Sequence, residues 1–360
     1  MPPNPPAVEA AGRNWVRSAV ASCYFHSPMP ALVRHLRNEY KVSRSGRRWP
    51  RIGIQKRQQA TARILYYHRV NDDNDPFFPA LSIAAFEAQM RFLSKSYRVV
   101  GLAELLRRLA DGPAEPVLAI TFDDGYRDNY TYAFPILQRY GLPATIFLTT
   151  GSIDSGEPLW FERLALAVKN TARDSIDLDF HSLQQLTLRT PSERLKANAQ
   201  IFSALRPLPD PERRRLLAEI LQKLALRDAG ERAHKMLTWD DARLMSANRI
   251  AFGGHTVTHP FLSRLTAEEF RWEASECKRR IEDELQLPVE HFAYPNGREE
   301  DFGLANKALV RQAGYRAAVT TIWGVNHSST DPFELRRGGP WEESPAVFAY
   351  KLDWYELMGE

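Results

Sequence analysis

The chain of 360 residues is 44% hydrophobic and 26% charged, a globular composition that excludes a wholly disordered, collagen-like or membrane-embedded protein and leaves room for one large barrel-like domain or two ordinary ones. No apolar run approaches the roughly 20 residues that span a bilayer, and the two cysteines, Cys23 and Cys277, exclude a disulfide framework and are compatible with a reducing compartment. Charge is uneven: residues 1–60 carry 11 Lys and Arg against Glu9 and Glu39, a net of +9, which leaves 37 against 42, a net of −5, for the rest.

The leading arm begins MPPNPPAVEAAG, without the charged start and apolar stretch of a secretory signal, so the mature protein is expected to begin near Met1 and to reside in the cytoplasm. Its bases alternate with bulky residues such as Trp15, Tyr24, Phe25 and Leu36. That pattern reads either as a solvated extension or as a short amphipathic helix at an anionic membrane surface, placing the protein peripherally at the inner face. No nucleic-acid reader motif accompanies the charge, and no nucleic-acid partner is expected.

From residue 62 short apolar runs alternate with amphipathic stretches. ARILYYH (62–68), YRVV (97–100), VLAITF (117–122), ATIFLTT (144–150), IAFGGH (250–255), VEHFAY (289–294) and YRAAVTT (315–321) read as strands. Ser82 to Ser94 keeps one apolar face, and Thr266 with Glu269 forms a capping box for a helix to about Leu285. Near-continuous apolar strands separated by helices imply an α/β fold with a parallel sheet covered on both sides, open or closed into a barrel. Between residues 160 and 243 strand signal is weak, while Thr190-Pro191-Ser192-Glu193 and Asp210-Pro211-Glu212 mark helix starts. The expectation is a helical insertion, a lid or side subdomain, within a body of residues 61–340 that a helix over 341–360 follows.

Two clusters carry chemistry. Thr121-Phe122-Asp123-Asp124-Gly125-Tyr126 ends an apolar strand, where parallel folds place their sites, and Gly125 lets the chain turn so that both carboxylates reach one centre. His255-Thr256-Val257-Thr258-His259 follows another apolar strand, and imidazoles four apart face one point if the segment makes a single helical turn. Asp124 with His255 and His259 makes a three-ligand set that leaves a coordination position open, the arrangement of a catalytic metal. Neither a phosphate-binding glycine loop nor a serine nucleophile elbow is present.

Together TFDDGY, HTVTH and the later FAYPNG resemble the polysaccharide deacetylase family with NodB homology, the fourth family of carbohydrate esterases, from about Ile64 to Arg337. The resemblance implies a distorted (β/α) barrel of about seven strands, a divalent metal held by Asp124, His255 and His259, with zinc expected first and cobalt or nickel as alternatives, and Asp123 as catalytic base. It implies hydrolysis of an acetyl group from a sugar, so the expected partner is an acetylated glycan or a lipid-linked sugar. The backbone N–H of Asn296 is the candidate oxyanion donor, Tyr294 a groove wall and Tyr126 a substrate contact.

The chain departs from that pattern twice. Ala293 stands where relatives carry an arginine that orients the base, and no late histidine supplies the acid; His327 reads as part of a polar loop. Tyr66-Tyr67-His68-Arg69-Val70, at the end of the first strand, resembles the poly-N-acetylglucosamine deacetylases whose strand order is circularly shifted, and nominates His68 as general acid. Arg337 is the candidate for the missing arginine. Trp160 and Phe161 read as core packing or as a sugar platform, and Cys277 as a residue without function. The expected function is metal-dependent removal of N-acetyl groups from N-acetylhexosamine units of a bacterial polysaccharide or its lipid-linked precursor. The alternatives are an O-acetyl esterase or deformylase on the same scaffold and a non-catalytic glycan-binding protein.

Overall fold

The structure, a computed structural model, describes residues 61–112, 115–180, 183–225, 236–339 and 342–358. The basic arm and its expected membrane-facing helix lie outside the described residues, as do Cys23 and Trp341.

The strands are β1 (Ala62–Tyr67), β2 (Arg98–Val99), β3 (Val117–Phe122), β4 (Ala144–Leu148), β5 (Ser175–Phe180), β6 (Leu183–Thr187), β7 (Ile250–Gly254), β8 (His291–Ala293) and β9 (Ala317–Val319). The α-helices are α1 (Ile83–Ser96), α2 (Leu102–Asp111), α3 (Phe134–Tyr140), α4 (Thr150–Ser155), α5 (Trp160–Asn170), α6 (Pro191–Leu205), α7 (Asp210–Leu224), α8 (Trp239–Ser246), α9 (Ala267–Leu285), α10 (Leu304–Gln312) and α11 (Pro345–Met358). One seven-stranded sheet runs β1-β3-β4-β7-β8-β9, with β2 added beside β3, and every pair in it is parallel. Helices supply the crossovers, and the sheet curls into the distorted (β/α) barrel of about seven strands that the sequence implies.

Strand pleating sorts each strand into two faces. Ala62 and Ile64, Val117 and Ala119, Phe147, Ala293, Ala317 and Val319 share one apolar cluster on the inward face of the curl, joined by Leu335 and by Leu102, Leu105 and Leu109 of α2. The alternate residues Leu65, Tyr67, Leu118, Ile120, Phe122 and Leu148 face the helices and join the larger core. Following the inward face up β3 leads from Val117 and Ala119 to Thr121 and then to Asp123, so the sequence period itself delivers that carboxylate to the barrel mouth.

An irregular segment bridges the open edge. Leu335 pairs in parallel with Val319 of β9, and Gly338 pairs in parallel with Leu65 of β1. The Leu335 N–H donates to Ala318 (3.0 Å) and the Gly338 N–H to Ile64 (2.8 Å). Arg337 sits between these two anchors and is fully buried.

Three sequence expectations need correction. The insertion contains an antiparallel hairpin, β5 with β6. Its SIDLDF stretch does alternate: Ile176 and Leu178 enter a second core with Leu164, Ile201 and Leu217, and Asp177 stays exposed. Burying one face of a short strand against helices overrides weak strand propensity. Strand ends were also drawn too long, because VEHFAY pairs only over His291–Ala293 and Thr150 already starts α4. The helix expected over 341–360 begins at Pro345 and packs Phe348 edge-on against Phe92, 6.1 Å between ring centres. The helix starts themselves are as expected: the Thr190 and Thr266 side chains each cap their helix, and their backbone N–H groups donate in return to Glu193 and Glu269.

Candidate active site

The site lies at the carboxyl ends of β1, β3 and β7. Beyond Phe122 the backbone turns through two left-handed residues, Asp124 (φ +74°) and Gly125 (φ +87°). A side chain at Gly125 would meet Leu148 at 2.9 Å as well as the unfavourable φ. The turn sends Asp123 into the barrel and Asp124 toward β7, and both are 2% exposed.

Arg337 meets Asp123 in a two-pronged ion pair, Nη1 to Oδ1 at 2.8 Å and Nη2 to Oδ2 at 2.7 Å. Its remaining donors go to the Thr320 carbonyl (2.7 Å) and the Thr121 hydroxyl (3.1 Å), and the guanidinium lies 4.8 Å over the Tyr66 ring. Burial works to raise the Asp123 pKa, but the charge and hydrogen bonds of Arg337 outweigh it and hold the carboxyl below its ordinary value. Arg337 thus occupies the place that the sequence left open at Ala293.

Asp124 gathers the two histidines. Its Oδ1 lies 3.4 Å from Nε2 of His255 and 3.4 Å from Nε2 of His259, and the three ligand atoms all lie within 4.8 Å of one another. The HTVTH segment does not make the expected helical turn. Left-handed Thr256 (φ +69°) and His259 (φ +54°) fold it back, so that the rings meet with centroids 4.9 Å apart. Glu273 of α9, which sequence reading passed over, anchors this loop by accepting from the N–H groups of Val257 (2.7 Å) and Thr258 (3.0 Å) and from the Thr258 hydroxyl. Gly254 leaves no room for a side chain, since a Cβ there would come within 2.2 Å of the Tyr315 hydroxyl.

The donor chemistry fits a divalent cation. The Nδ1 of His255 lies 2.8 Å from the Ala293 carbonyl, which can only accept, so that nitrogen carries the proton and Nε2 offers a lone pair to the cluster. A carboxylate oxygen and two imidazole lone pairs then converge, and Asp124 Oδ1 is buried without a hydrogen-bond donor. Two ligand atoms at about 2.0–2.1 Å from one tetrahedral ion lie about 3.4 Å apart. Burial pushes the His259 imidazole down to about 4, which keeps it neutral near pH 7, the form that can offer a lone pair to a cation.

These groups open into a cavity of about 420 Å³ that Asp123, Asp124, His255 and His259 line on one side. His68, Tyr126 and Asn296 line it too, so the first-strand motif and the YPNG turn reach the same mouth as the Asp pair. Asn296 is left-handed (φ +63°), its carbonyl accepts from the Thr321 hydroxyl (2.6 Å), and its own N–H bonds to no described residue. Tyr126 is 3% exposed and its hydroxyl bonds to Glu162, whose carboxyl burial pushes up to about 7. Tyr294 is not a groove wall: it is fully buried, stacks on Phe302 (4.7 Å) and donates to the Phe333 carbonyl (3.0 Å).

The insertion is a wall of the cavity and is bonded to the histidine loop. The Trp160 indole N–H donates to the His259 carbonyl (2.9 Å), and the Phe161 ring meets the His259 imidazole edge-on (5.3 Å). Trp160 is a packing residue, as one of the two sequence readings had it, while Phe161 also lines the cavity. Glu162, Asn198 and Phe202 from the insertion, Phe77, Phe78 and Pro79 from the loop after β1, and Arg69 and Arg298 also line it, and nothing in the sequence singled out Glu162, Asn198 or Phe202. Cys277 is buried and its thiol is pushed up to about 12, in keeping with a residue that has no chemical role.

Fold and donor set together define a barrel hydrolase of the polysaccharide deacetylase class. A model of the polysaccharide deacetylase family matches residues 110–208 and 219–318, and the chain belongs to that family. It is 34% identical over 146 residues to the putative polysaccharide deacetylase YxkH of Bacillus subtilis, covering 39% of this chain and 50% of that protein. It is also 35% identical over 84 residues to the poly-beta-1,6-N-acetyl-D-glucosamine N-deacetylase of Escherichia coli, 22% of this chain and 12% of that one. The chain thus spans half or less of the length of these curated relatives. Among solved structures, the Streptococcus pyogenes deacetylase PplD in complex with acetate superposes with a TM-score of 0.56 at 19% identity, covering 83% of this chain and 99% of that one. IcaB from Ammonifex degensii superposes with a TM-score of 0.52 at 18% identity over 81% and 97% of the two chains, and these structures share the fold.

Proposed function

We propose that the protein is a metal-dependent hydrolase that removes N-acetyl groups from N-acetylhexosamine units of a bacterial polysaccharide. The observation that carries this reading is the pairing of a buried Asp-His-His ligand set with a second buried carboxylate, Asp123, that the two-pronged bond to Arg337 orients at the same cavity. The name of the Escherichia coli relative supports a poly-N-acetylglucosamine substrate class.

Asp124, His255 and His259 would hold a divalent ion, zinc in the first instance and cobalt or nickel otherwise, which when bound would supply Lewis acidity toward the acetyl carbonyl and lower the pKa of water. Asp123 is ionised because Arg337 holds its pKa down, and it accepts the proton of the attacking water. The Asn296 N–H is the assigned donor to the developing oxyanion. His68, across the mouth at the end of β1, gives its proton to the departing nitrogen as the C–N bond breaks, releasing acetate and the free amine of the sugar. Every one of these groups comes from a strand end or the loop just after it, so the barrel sets their spacing.

Acetate release from acetylated glycans with metal-loaded protein tests the reading. Asp123→Asn is expected to lose turnover while retaining metal, whereas His255→Ala loses both; full activity in Asp123→Asn removes Asp123 from the base role. The net +9 of residues 1–60 supports a peripheral position at an anionic membrane face, where a lipid-linked precursor would be met. Co-sedimentation with anionic but not neutral vesicles is the expected result, and equal binding to both refutes that position.

A further inference from the structure

A second cavity lies across α5 from the catalytic one and shares no lining residue with it. Phe161, Glu162 and Ala165 turn toward the catalytic cavity, while Trp160 and Arg163, on the opposite flank of the same helix, face a separate space of about 290 Å³. That volume is near the lower end of the roughly 300–1,000 Å³ found for small-molecule pockets. Across the space α7 presents Arg213 and Arg214 beside the apolar Leu217 and Leu221, and the histidine loop presents Thr258.

The arginines here outnumber the acids that serve them. Asp210 accepts from Nε (3.1 Å) and Nη2 of Arg213 on one oxygen and from Nε of Arg214 on the other, so both its oxygens are engaged. Glu273, the next carboxylate to act on Arg213, accepts instead from the Val257 and Thr258 N–H groups and the Thr258 hydroxyl. Nη1 of Arg213 is left buried without a hydrogen-bond partner among the described residues, on a side chain only 3% exposed. The exposed guanidinium of Arg163 pairs with no acid among the described residues. Burial lowers the Arg213 pKa despite the Asp210 carboxylate, and the charge of Arg214 lowers it further. A buried donor without an acceptor, next to a like charge, is unfavourable until an anion reaches it.

The fork is also held in place before any ligand arrives. Arg213 lies 4.3 Å over one face of the Trp160 ring, and Phe202 covers the other face (5.5 Å, 2° between planes), so the cost of ordering the guanidinium is met by folding. Three guanidinium groups from two helices around one space match an anion with at least three acceptor oxygens, which a phosphomonoester has and a carboxylate lacks. A phosphomonoester carries about two negative charges at neutral pH. The three arginines set against Asp210 leave a surplus of two positive charges.

We propose that Arg163, Arg213 and Arg214 form a binding site for a phosphomonoester, separate from the catalytic cavity, with the esterified group lying along Leu217 and Leu221. The site does not depend on the deacetylase reading. Its occupant also meets Thr258, one residue before His259, so it adjoins the loop that carries the ligand histidines.

Calorimetric titration of the metal-loaded full chain with inorganic phosphate, phenyl phosphate and benzoate tests the site, and phosphatidylcholine vesicles with and without phosphatidic acid separate a lipid headgroup from a soluble ester. Binding at this site is the part that Arg163→Gln and Arg214→Gln remove, since phosphate also reaches a cation in the catalytic cavity. Both side chains are exposed, and Arg163 stands outside the Asp210 pair, so at least its variant is expected to melt with the wild type. Phenyl phosphate is expected to bind more tightly than inorganic phosphate and to lose about tenfold or more in affinity in each variant, the scale of one charge-assisted hydrogen bond. Benzoate, with the same ring on a two-oxygen anion, is expected to bind at least about tenfold more weakly than phenyl phosphate. Binding to phosphatidic acid vesicles that Arg163→Gln abolishes, without any effect on the soluble ester, supports the site and assigns it a lipid phosphate. Affinities for phenyl phosphate and for the vesicles that are both unchanged in Arg163→Gln overturn the site. Benzoate binding as tightly as phenyl phosphate overturns the phosphate assignment, and inorganic phosphate binding as tightly overturns the role of Leu217 and Leu221.

Discussion

Among the buried arginine–aspartate pairs of the described residues, two are arranged for different ends. Arg337–Asp123 joins residues more than two hundred positions apart, with side chains 0% and 2% exposed, and every guanidinium nitrogen of Arg337 has an acceptor. Arg213–Asp210 is equally buried, 3% and 2%, but lies within one turn of α7, shares its carboxylate with Arg214, and leaves Arg213 Nη1 without an acceptor. Desolvating two charges costs several kcal/mol each, and the attraction repays it only where geometry and the remaining donors are satisfied. The complete pair is the one at the cavity mouth, which identifies it as orientation for a reacting group. The incomplete pair anchors the insertion, with Arg213 lying 4.3 Å over the Trp160 ring.

The most direct way to break this contrast is to remove each arginine in turn. Arg337→Gln is expected to lower kcat by about 10²–10⁴, the range that a positioned base contributes, with bound metal unchanged. The Asp123 pKa should also rise toward its ordinary value once the guanidinium is gone, so the acid limb of the rate–pH profile moves to higher pH. Partial recovery in Arg337→Lys is expected; an unshifted acid limb in Arg337→Gln refutes the positioning role. Arg213→Met is expected to act on stability, by about 3–5 kcal/mol for a buried pair deprived of one partner. Its kcat at temperatures where it stays folded should lie within a few-fold of wild type. Should Arg213→Met lose turnover as Arg337→Gln does, the two pairs are not functionally distinct.

Trp160→Phe sharpens the comparison, because it cuts the one indole hydrogen bond between the insertion and the ligand loop while keeping an aromatic ring. The bond goes to the His259 backbone carbonyl and not to its ring, so its loss is expected to loosen the loop that presents the imidazole and to weaken metal affinity. Competition with a chelator measures the change, and an unaltered affinity shows that the loop is held by Glu273 and its own backbone alone.

What the sequence showed, and what it hid, follows the same division between local and distant. Asp124, His255 and His259 were legible because each stands beside a strand-ending turn, and two of the three lie within five residues. The hairpin β5–β6 and the Glu273 clamp were hidden for opposite reasons. The first is short and gains its order from the insertion core, and the second is an acid on a charged helix whose role depends on what packs above it. Arg337 could be nominated only by the absence at Ala293, since no spacing rule connects it to Asp123. The bridging segment Leu335–Gly338 is what brings them together. Tyr294 misled because a tyrosine next to a proline turn looks like a rim residue, whereas its hydroxyl finds the Phe333 carbonyl in the core.

At the opposite end of the sheet from the cavity mouth, His291 offers a third case, a buried imidazole with no carboxylate bonded to it. It is 7% exposed on β8, and burial lowers its pKa to about 4, with the charge of Glu290 opposing and those of Arg316 and Lys278 assisting. In the unfolded chain the same ring titrates near its ordinary value of about 6.5. A depressed histidine therefore adds stability that is present above pH 6.5 and is lost as pH falls from there toward 4, because the unfolded state takes up the proton first. The loss from this one group reaches about 3 kcal/mol at its limit. Denaturant unfolding of wild type and His291→Gln at pH 7 and pH 4.5 isolates it, since the Asp-His-His cluster is common to both proteins and cancels in the difference. Wild type should lose more stability than the variant over that interval, by up to the stated amount. Parallel losses in the two proteins mean that His291 is protonated in the folded state over the same range as in the unfolded chain, so that its burial does not weaken its hold on the proton.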